Sequence, residues 1–581
     1  MGHEDIATSG NSKGHYPCFA RLENPNRMQA LRAATGQRQG ILWSMNPASE
    51  SIADPAYRTL AELIRQHARE RPDSPALLQG VARLSYAELD FLMDRIAASL
   101  QRDGLRPGDA IGICASASVR YAAVFLGALR AGVVVAPLAP SVTRASFASM
   151  LADAQARWLF VDAAALDALG DVTDAARCIS LDGTAPGRAF DAWLMPVGAR
   201  PEPVEVKPEQ PFNIIYSSGT TGAPKGIVQS HGMRWSHVMR GAGYGYAADG
   251  VTLLATPLYS NTTLVVFFPT LAFGGSVILM QKFDAAKYLA LAEQHRVTHT
   301  MLVPVQYQRI MALASFDAHD LSSFRFKFCT SAPFAAALKA DVVARWPGGL
   351  IEFYGMTEGG GTCILEAHAH PDKLHTVGRP AQGHDIRLID NAGCELPAGE
   401  ASAIGEVVGH SAGMMSGYHR QPGKTREAEW FDACGKRFIR TGDVGRFDAD
   451  GFLTLLDRKK DMLISGGFNI FPSDLEAVLR QHAAVADVAV VGVPSVQWGE
   501  TPIAFVVRRA GSEVSADELL RWLNQRVGKT QRLAGLQYLD ELPRSAIGKV
   551  LKRELRDAHV ASAERPLAPS PRATEGPLRG P

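Results

Sequence analysis

Short apolar runs alternating with amphipathic stretches constrain the fold of this chain more than any other feature. "DAIGICAS" is followed by "VRYAAVFLGALRAG" and then "VVVAPL"; further on come "ARWLFVD", "FNIIYSS", "THTMLVP", "FRFKFCTS" and "LIEFYG", with helical patterns such as "AAKYLALAEQH" between several of them. Short runs without polar alternation read as strands buried on both faces, and the helices between them supply the cover. The expected class is α/β, a large N-terminal domain of mostly parallel sheets covered by helices. After residue 380 the texture changes: "HDIRLIDNAGCEL" and "GRFDADGFLTLLD" read as hairpins, the second turning at Asp450-Gly451, so a β-rich subdomain is expected. From about 458 a small α+β unit follows, with "SDLEAVLRQH" and "SADELLRWLNQRV" as helices and "ADVAVVGVP" and "TPIAFVVRR" as strands.

A chain of 581 residues exceeds what one hydrophobic core supports. The polar "DRKKD" at 457–461 marks the boundary between an N-terminal domain over 51–457 and a C-terminal domain over 458–557. Residues 1–50 lack a sustained apolar period and residues 558–581 are Pro- and Ala-rich, so both are expected to be disordered, and Met45 is read as an alternative start. Sixty basic residues balance 59 acidic ones, which gives no electrostatic case for nucleic acid or a membrane surface. Polar residues interrupt every apolar run, so no transmembrane segment is expected. Seven scattered cysteines without a CxxC pair suit a reducing compartment, and the absence of a secretory h-region makes the cytoplasm the expected location.

Against this frame, "YSSGTTGAPKG" at 216–226 is unusual for its density of glycine and hydroxyl residues with one lysine at the far end. Glycines bring backbone N–H groups close to a ligand, hydroxyls add donors and the lysine adds charge, a set that suits phosphate oxygens. The same residues also make ordinary turns. A Walker A loop needs GxxxxGK followed by Ser or Thr; five positions after Gly219 stands Pro224, and Gly226 follows the lysine, so that design is excluded.

"YSSGTTGAPKGIVQSH" resembles the phosphate-loop signature of the adenylate-forming superfamily, the acyl-CoA synthetases and their relatives. Three further motifs in register strengthen the resemblance: "FYGMTEGGG", "RTGDVGRFDADGFLTLLDRKKDMLISGGFNIFPSDLEAVL" and "DELPRSAIGKVLKREL". The resemblance extends over roughly residues 55–557 and implies a C-terminal domain that swings between two poses. The activity implied is an ATP-dependent carboxylic acid–CoA ligase, with ATP, Mg²⁺ and CoA as cofactors and co-substrates. By the same resemblance, Ser217, Ser218, Gly219, Thr220, Thr221, Gly222 and Lys225 hold the outer phosphates. Tyr354, Gly355 and Met356 flank adenine, Thr357 meets the α-phosphate and Glu358 binds Mg²⁺. Asp443 and Arg458 hold the ribose, Lys549 bridges substrate carboxylate and α-phosphate, and Lys460 is the hinge. Gly466, Gly467 and Arg532 serve CoA.

Two departures bear on specificity. Ser260 stands after "TPLY" where aryl-activating relatives have a histidine, so Ser260, Asn261 and Ser331, with Gly359, Gly360 and Gly361, are read as a roomy acyl pocket. Before the final motif, "KTQRLAGLQYLDELP" keeps Arg532 as a basic contact but has no aromatic or proline clustered beside it, as relatives that hold CoA there do, so an acyl carrier protein stands as the alternative acceptor. Two other patterns are weighed. "GHSAG" at 409–413 fits the GxSxG elbow of a serine hydrolase with Ser411 as nucleophile, but glycines and a proline follow where the elbow needs a helix. Glu366, His368, His370 and His375 offer metal ligands without a clear spacing.

Overall fold

The computed structural model describes residues 56–170, 175–217, 224–397, 403–465, 468–495, 497–545 and 548–563. The expected N-terminal extension lies outside them, as does the tail from 564. The final helix, Lys552–Ala563, runs past the expected domain end at 557, because Leu555 is buried and His559 packs edge-on against Phe505 at 6.1 Å.

The apolar runs form two sheets with parallel interiors. One has nine strands, in the order Arg379–Pro380, Thr362–Glu366, Gly349–Gly355, Phe326–Cys329, His299–Leu302, Val251–Leu254, Ser276–Leu279, Pro75–Gln79, Ala82–Ser85. Its middle is parallel and its two ends antiparallel. The other has eight strands, of which Ala110–Cys114, Val134–Leu138, Trp158–Val161 and Pro211–Ser217 form the parallel centre. Helices fill the space between the sheets. Val119–Arg130 is apolar on all sides and buried from Tyr121 onward, as a helix without a polar face must be. Its one buried charge, Arg130, is matched by Asp94 at 2.9 Å and by Asp90.

A third, antiparallel sheet contains Asp385–Ile389, Gly405–His410, Glu429–Phe431 and the long strand Arg437–Phe447, which pairs with Leu453–Arg458. The turn between those last two strands is Asp448–Gly451, with Gly451 at φ 79°, the left-handed conformation expected of the Asp-Gly pair. From Leu463 a mixed sheet begins whose principal pair, Val485–Ser495 with Gly499–Arg508, is antiparallel; helices Pro472–Leu479 and Ala516–Asn524 pack on it. Among the described residues no helix is long and apolar enough to cross a membrane. In open sheets of this kind ligands collect beyond the carboxyl ends of the parallel strands, which is where residues 217, 331 and 355–358 fall.

Candidate active site

Strands Pro211–Ser217 and Lys225–Ser230 are antiparallel neighbours with Ser217 opposite Lys225. The loop between them, with Ser218, Gly219, Thr220, Thr221 and Gly222, lies outside the described residues; so do the Ser217 side chain and the two glycines Gly466 and Gly467. What is described is the loop's charged exit. Lys225 Nζ stands 4.8 Å from the centre of the Tyr418 ring, and the Tyr418 hydroxyl donates to Glu358 Oε1 at 2.9 Å. Burial, reinforced by the Glu358 charge, raises the Tyr418 pKa and keeps that proton in place. A cation, an aromatic face and a carboxylate are thereby tied into one row.

The segment after strand Gly349–Gly355 is fixed through its main chain. Gln229 Nε2 donates to the Thr357 carbonyl at 2.7 Å and to Asn261 Oδ1 at 3.3 Å. Gln229 is fully buried, its own Oε1 accepting from Asn213 at 3.0 Å and from Arg234, whose Nε also donates to Asn213 at 3.0 Å. The Glu358 carbonyl accepts from Met415 N at 2.8 Å. Neither Gln229 nor Tyr418 was singled out from the sequence. Gln229 lies inside the quoted "IVQSH" and Tyr418 in the "GYH" a few residues after Ser411, but no spacing rule marks a residue that works by holding a neighbour's carbonyl or carboxylate in place.

Asp443 gathers a second group. It faces Arg458 across the hairpin, with Arg458 Nε 3.0 Å from Oδ1, while the Tyr354 hydroxyl donates to Oδ2 at 2.8 Å. Lys549 comes from the other end of the chain, on a tight turn in which its N–H donates to Ser545 Oγ at 3.2 Å and Ser545 N–H returns to its carbonyl at 2.8 Å. Gly548, buried at φ 76°, seats that turn: a side chain there would come within 2.9 Å of Val305 Cγ1. Burial pushes the Lys549 pKa down to about 8, with Arg458 and Lys460 adding to the effect and Asp443 opposing it. Lys460 is partly buried and lowered for the same first reason. Tyr354, Asp443, Arg458, Lys460 and Lys549 are therefore neighbours, whereas Arg532 lies exposed at the surface.

On the acyl side, Ser260 caps helix Asn261–Ala272 by accepting from Thr262 N at 3.3 Å, and the Thr262 and Ser331 hydroxyls are 2.6 Å apart. Ser331 holds a left-handed φ of 82°, a strained choice for a residue with a Cβ. The expectation for Gly359, Gly360 and Gly361 needs correction. Missing side chains there do not open a pocket: a Cβ would lie 2.0 Å from the Gly413 carbonyl oxygen, 2.6 Å from Ile439 Cβ and 2.3 Å from Ile386 Cδ1, respectively. The glycines let this turn press against strand Gly405–His410, whose Gly409 in turn has no room for a Cβ beside the Gly360 carbonyl.

The serine-elbow pattern fails for a structural reason. Ser411 follows a strand but no helix follows it, and its buried hydroxyl donates to the Gly359 carbonyl at 2.8 Å and accepts from Gly413 N at 3.1 Å. His368 Nδ1 stands 3.2 Å from the Leu350 carbonyl and His370 packs on Phe452, and among the described residues no group of three or more His, Cys, Asp or Glu is placed to hold a metal ion.

Comparison with known proteins adds the following. Residues 64–419 match the family model described as AMP-binding enzyme, and residues 474–549 match that of the AMP-binding enzyme C-terminal domain. A feruloyl-CoA synthase of Amycolatopsis sp. is 34% identical, over 84% of this chain and 97% of its own length. The fatty acid–[acyl-carrier-protein] ligase ScoC of Streptomyces coeruleorubidus is 30% identical, over 89% and 99%. The crystal structure of ATP-bound MatB from Rhodopseudomonas palustris superposes with a TM-score of 0.76 at 29% identity, covering 86% of this chain and 99% of that one.

Proposed function

This chain belongs to the AMP-binding, adenylate-forming enzyme family, and from that premise we propose that it is an ATP-dependent carboxylic acid–CoA ligase. One observation carries the assignment of roles: Tyr354 and Arg458, from distant stretches of sequence, bond the two oxygens of the single carboxylate of Asp443, whose charge also acts on the buried Lys549 from the far end of the chain. Each Asp443 oxygen has one protein partner and a further lone pair, which leaves acceptors for the two ribose hydroxyls. Tyr354, anchored by its hydroxyl, offers its ring to adenine. In the first half-reaction the acid's carboxylate oxygen attacks the α-phosphorus of ATP, the bond to the bridging oxygen breaks and pyrophosphate leaves with the electron pair. Lys549 places its charge between the attacking carboxylate and the α-phosphate, where negative charge must be stabilised.

Glu358 fits a magnesium ion. Its Oε1 is taken by Tyr418, its other oxygen is available, and a hard cation that keeps water and phosphate oxygens as most of its ligands needs few from protein. Bound there, the ion would neutralise charge on the phosphate oxygens. In the second half-reaction the CoA thiol, giving up its proton, attacks the acyl carbonyl, and AMP departs as the C–O bond breaks. Rotation about Lys460 withdraws Lys549 beforehand, Gly466 and Gly467 leave room for the pantetheine arm, and exposed Arg532 meets the CoA phosphates.

A carrier-protein thiol is the second reading, favoured by the missing aromatic and proline near Arg532. A panel of carboxylic acids in a pyrophosphate-release assay, with and without CoA, decides between them. Acid-dependent release with thioester formation is expected. Acid-dependent release without a CoA thioester assigns the acceptor to a carrier protein, and release independent of any acid overturns the ligase reading.

A further inference from the structure

The chain passes from the N-terminal domain into the C-terminal unit at residues 460–462, and the bonds on either side of that crossing assign each group to one body or the other. Residues 457–459 belong to the N-terminal side. Asp457 pairs with Val444 and Arg458 with Asp443 in the hairpin. Lys459 N–H donates to the Gly442 carbonyl at 2.8 Å, and its Nζ donates to the buried carboxylate of Glu406 at 3.0 Å. From Leu463 onward the strands pair within the C-terminal sheet. Helix Pro472–Leu479 moves with that second body: Leu475 and Leu479 are buried in its core, and Glu476 Oε1 accepts from Val490 N at 2.8 Å and pairs with Lys552 Nζ at 2.8 Å.

Asp457 and Leu456 bridge the crossing. Ser473 N–H, in the first turn of helix Pro472–Leu479, donates to Asp457 Oδ2 at 3.0 Å, and the Ser473 hydroxyl donates to the Leu456 carbonyl. Asp457 Oδ1 accepts from Arg458 N at 2.7 Å, so the carboxylate is aimed by its own strand. A helix start leaves its first N–H groups without intrahelical acceptors, and a carboxylate placed there is favoured by the hydrogen bond and by the helix dipole alike. Ordinarily the residue just before the helix supplies that acceptor; here it is Phe471, which makes no side-chain cap. The helix is capped instead by a side chain sixteen residues earlier, on the other side of Lys460.

We infer that Asp457 is a positioning residue for adenylation: its cap across the hinge holds the resting enzyme in the pose that keeps Lys549 beside Asp443, and the cap opens before the C-terminal unit turns for thioester formation. The inference rests on the ligase and two-pose readings above. Rotation about Lys460 leaves Asp457 on its hairpin and carries Ser473 away with its helix, so the cap stabilises one pose only. A cap supplied by residue 471 would travel with the helix and favour neither. Removing the Asp457 carboxylate therefore shifts the balance between the poses by the equilibrium equivalent of one helix cap, about 5–30-fold.

The test uses the full-length protein, the acid that gives most pyrophosphate release in the panel above, and that acid's synthetic acyl-adenylate. Acid-dependent pyrophosphate exchange reads the adenylating pose. Thioester formation from added acyl-adenylate and pantetheine, the thiol arm that CoA and carrier proteins share, reads the other. Asp457→Ala is expected to raise kcat/KM for pantetheine about 5–30-fold while exchange stays level or falls. Asp457→Asn, which keeps the shape and an acceptor but not the charge, should give a smaller gain. If neither folds, Ser473→Ala, which removes only the bond to the Leu456 carbonyl, should still raise the pantetheine rate. A merely structural carboxylate would depress both assays alike, and one that only positions nucleotide would lower exchange and leave the pantetheine assay at the wild-type rate. Either result overturns the inference while leaving the ligase reading intact. The two-pose reading falls separately, if fixing Gly548 against Val305 leaves thioester formation unimpaired. No acid-dependent release from any acid overturns the ligase reading itself.

Discussion

Lys549 shows how a burial effect becomes a kinetic one. Its ammonium is useful only while protonated, and desolvation has brought its pKa down to about 8, so the competent fraction falls as pH rises through that value. The kcat/KM for ATP in pyrophosphate exchange, which reports the free enzyme, should therefore decline above about pH 8. Lys549→Arg should remove that decline, because a guanidinium keeps its proton throughout, and Lys549→Ala should slow exchange by about 10²-fold or more at any pH. Tyr418 gives a second residue-level expectation. Tyr418→Phe keeps the ring beneath Lys225 but frees Glu358 Oε1, so the Mg²⁺ concentration for half-maximal exchange should change several-fold, with a stability loss of about 1.5–3 kcal/mol from the missing part-buried hydrogen bond to a carboxylate. An unchanged Mg²⁺ dependence would separate Glu358 from the metal.

At the scale of elements, the sequence was readable where chemistry and periodicity coincide. Apolar runs placed the parallel strands, the Asp-Gly pair placed the turn at 448–451, and matched motifs placed Tyr354, Asp443, Arg458 and Lys549 around one point although 195 residues separate the first from the last. What stayed hidden was any role that depends on a neighbour in space. A glycine looks the same whether it opens a cavity or admits a second backbone, and only the approach of strand Gly405–His410 shows that Gly359–Gly361 do the latter. Likewise Gln229 is an ordinary strand residue until the Thr357 carbonyl is seen in front of it. The glycine turn makes a prediction that reverses the pocket expectation. Gly360→Leu should lower the melting temperature, by an amount corresponding to roughly 1–3 kcal/mol of overpacking against Ile439, and should depress turnover of short and long acids together. A stable variant with an altered chain-length preference would restore the pocket reading.

For the whole molecule the question is whether one arrangement of the C-terminal unit serves both half-reactions. In the arrangement described, Lys549 reaches the Asp443 neighbourhood because the turn carrying it docks on the start of helix Pro304–Met311, with Gly548 against Val305. That contact can be locked. A Cβ on Gly548 would lie 3.9 Å from Val305 Cβ, within the span of about 3.5–4.5 Å that a disulfide bridges, so Val305→Cys with Gly548→Cys should cross-link on oxidation. The cysteine at 548 must adopt φ near 76°, at a cost of about 1–3 kcal/mol that a closed disulfide offsets. Locked in this pose, the enzyme keeps Lys549 beside Asp443 and cannot make the rotation about Lys460 proposed for thioester formation. The oxidised double variant should therefore continue acid-dependent pyrophosphate exchange while acyl-CoA formation falls to background, and dithiothreitol should restore thioester synthesis. Cross-linked protein that forms acyl-CoA at the reduced enzyme's rate would mean that a single pose suffices, and the hinge role of Lys460 would fall with it.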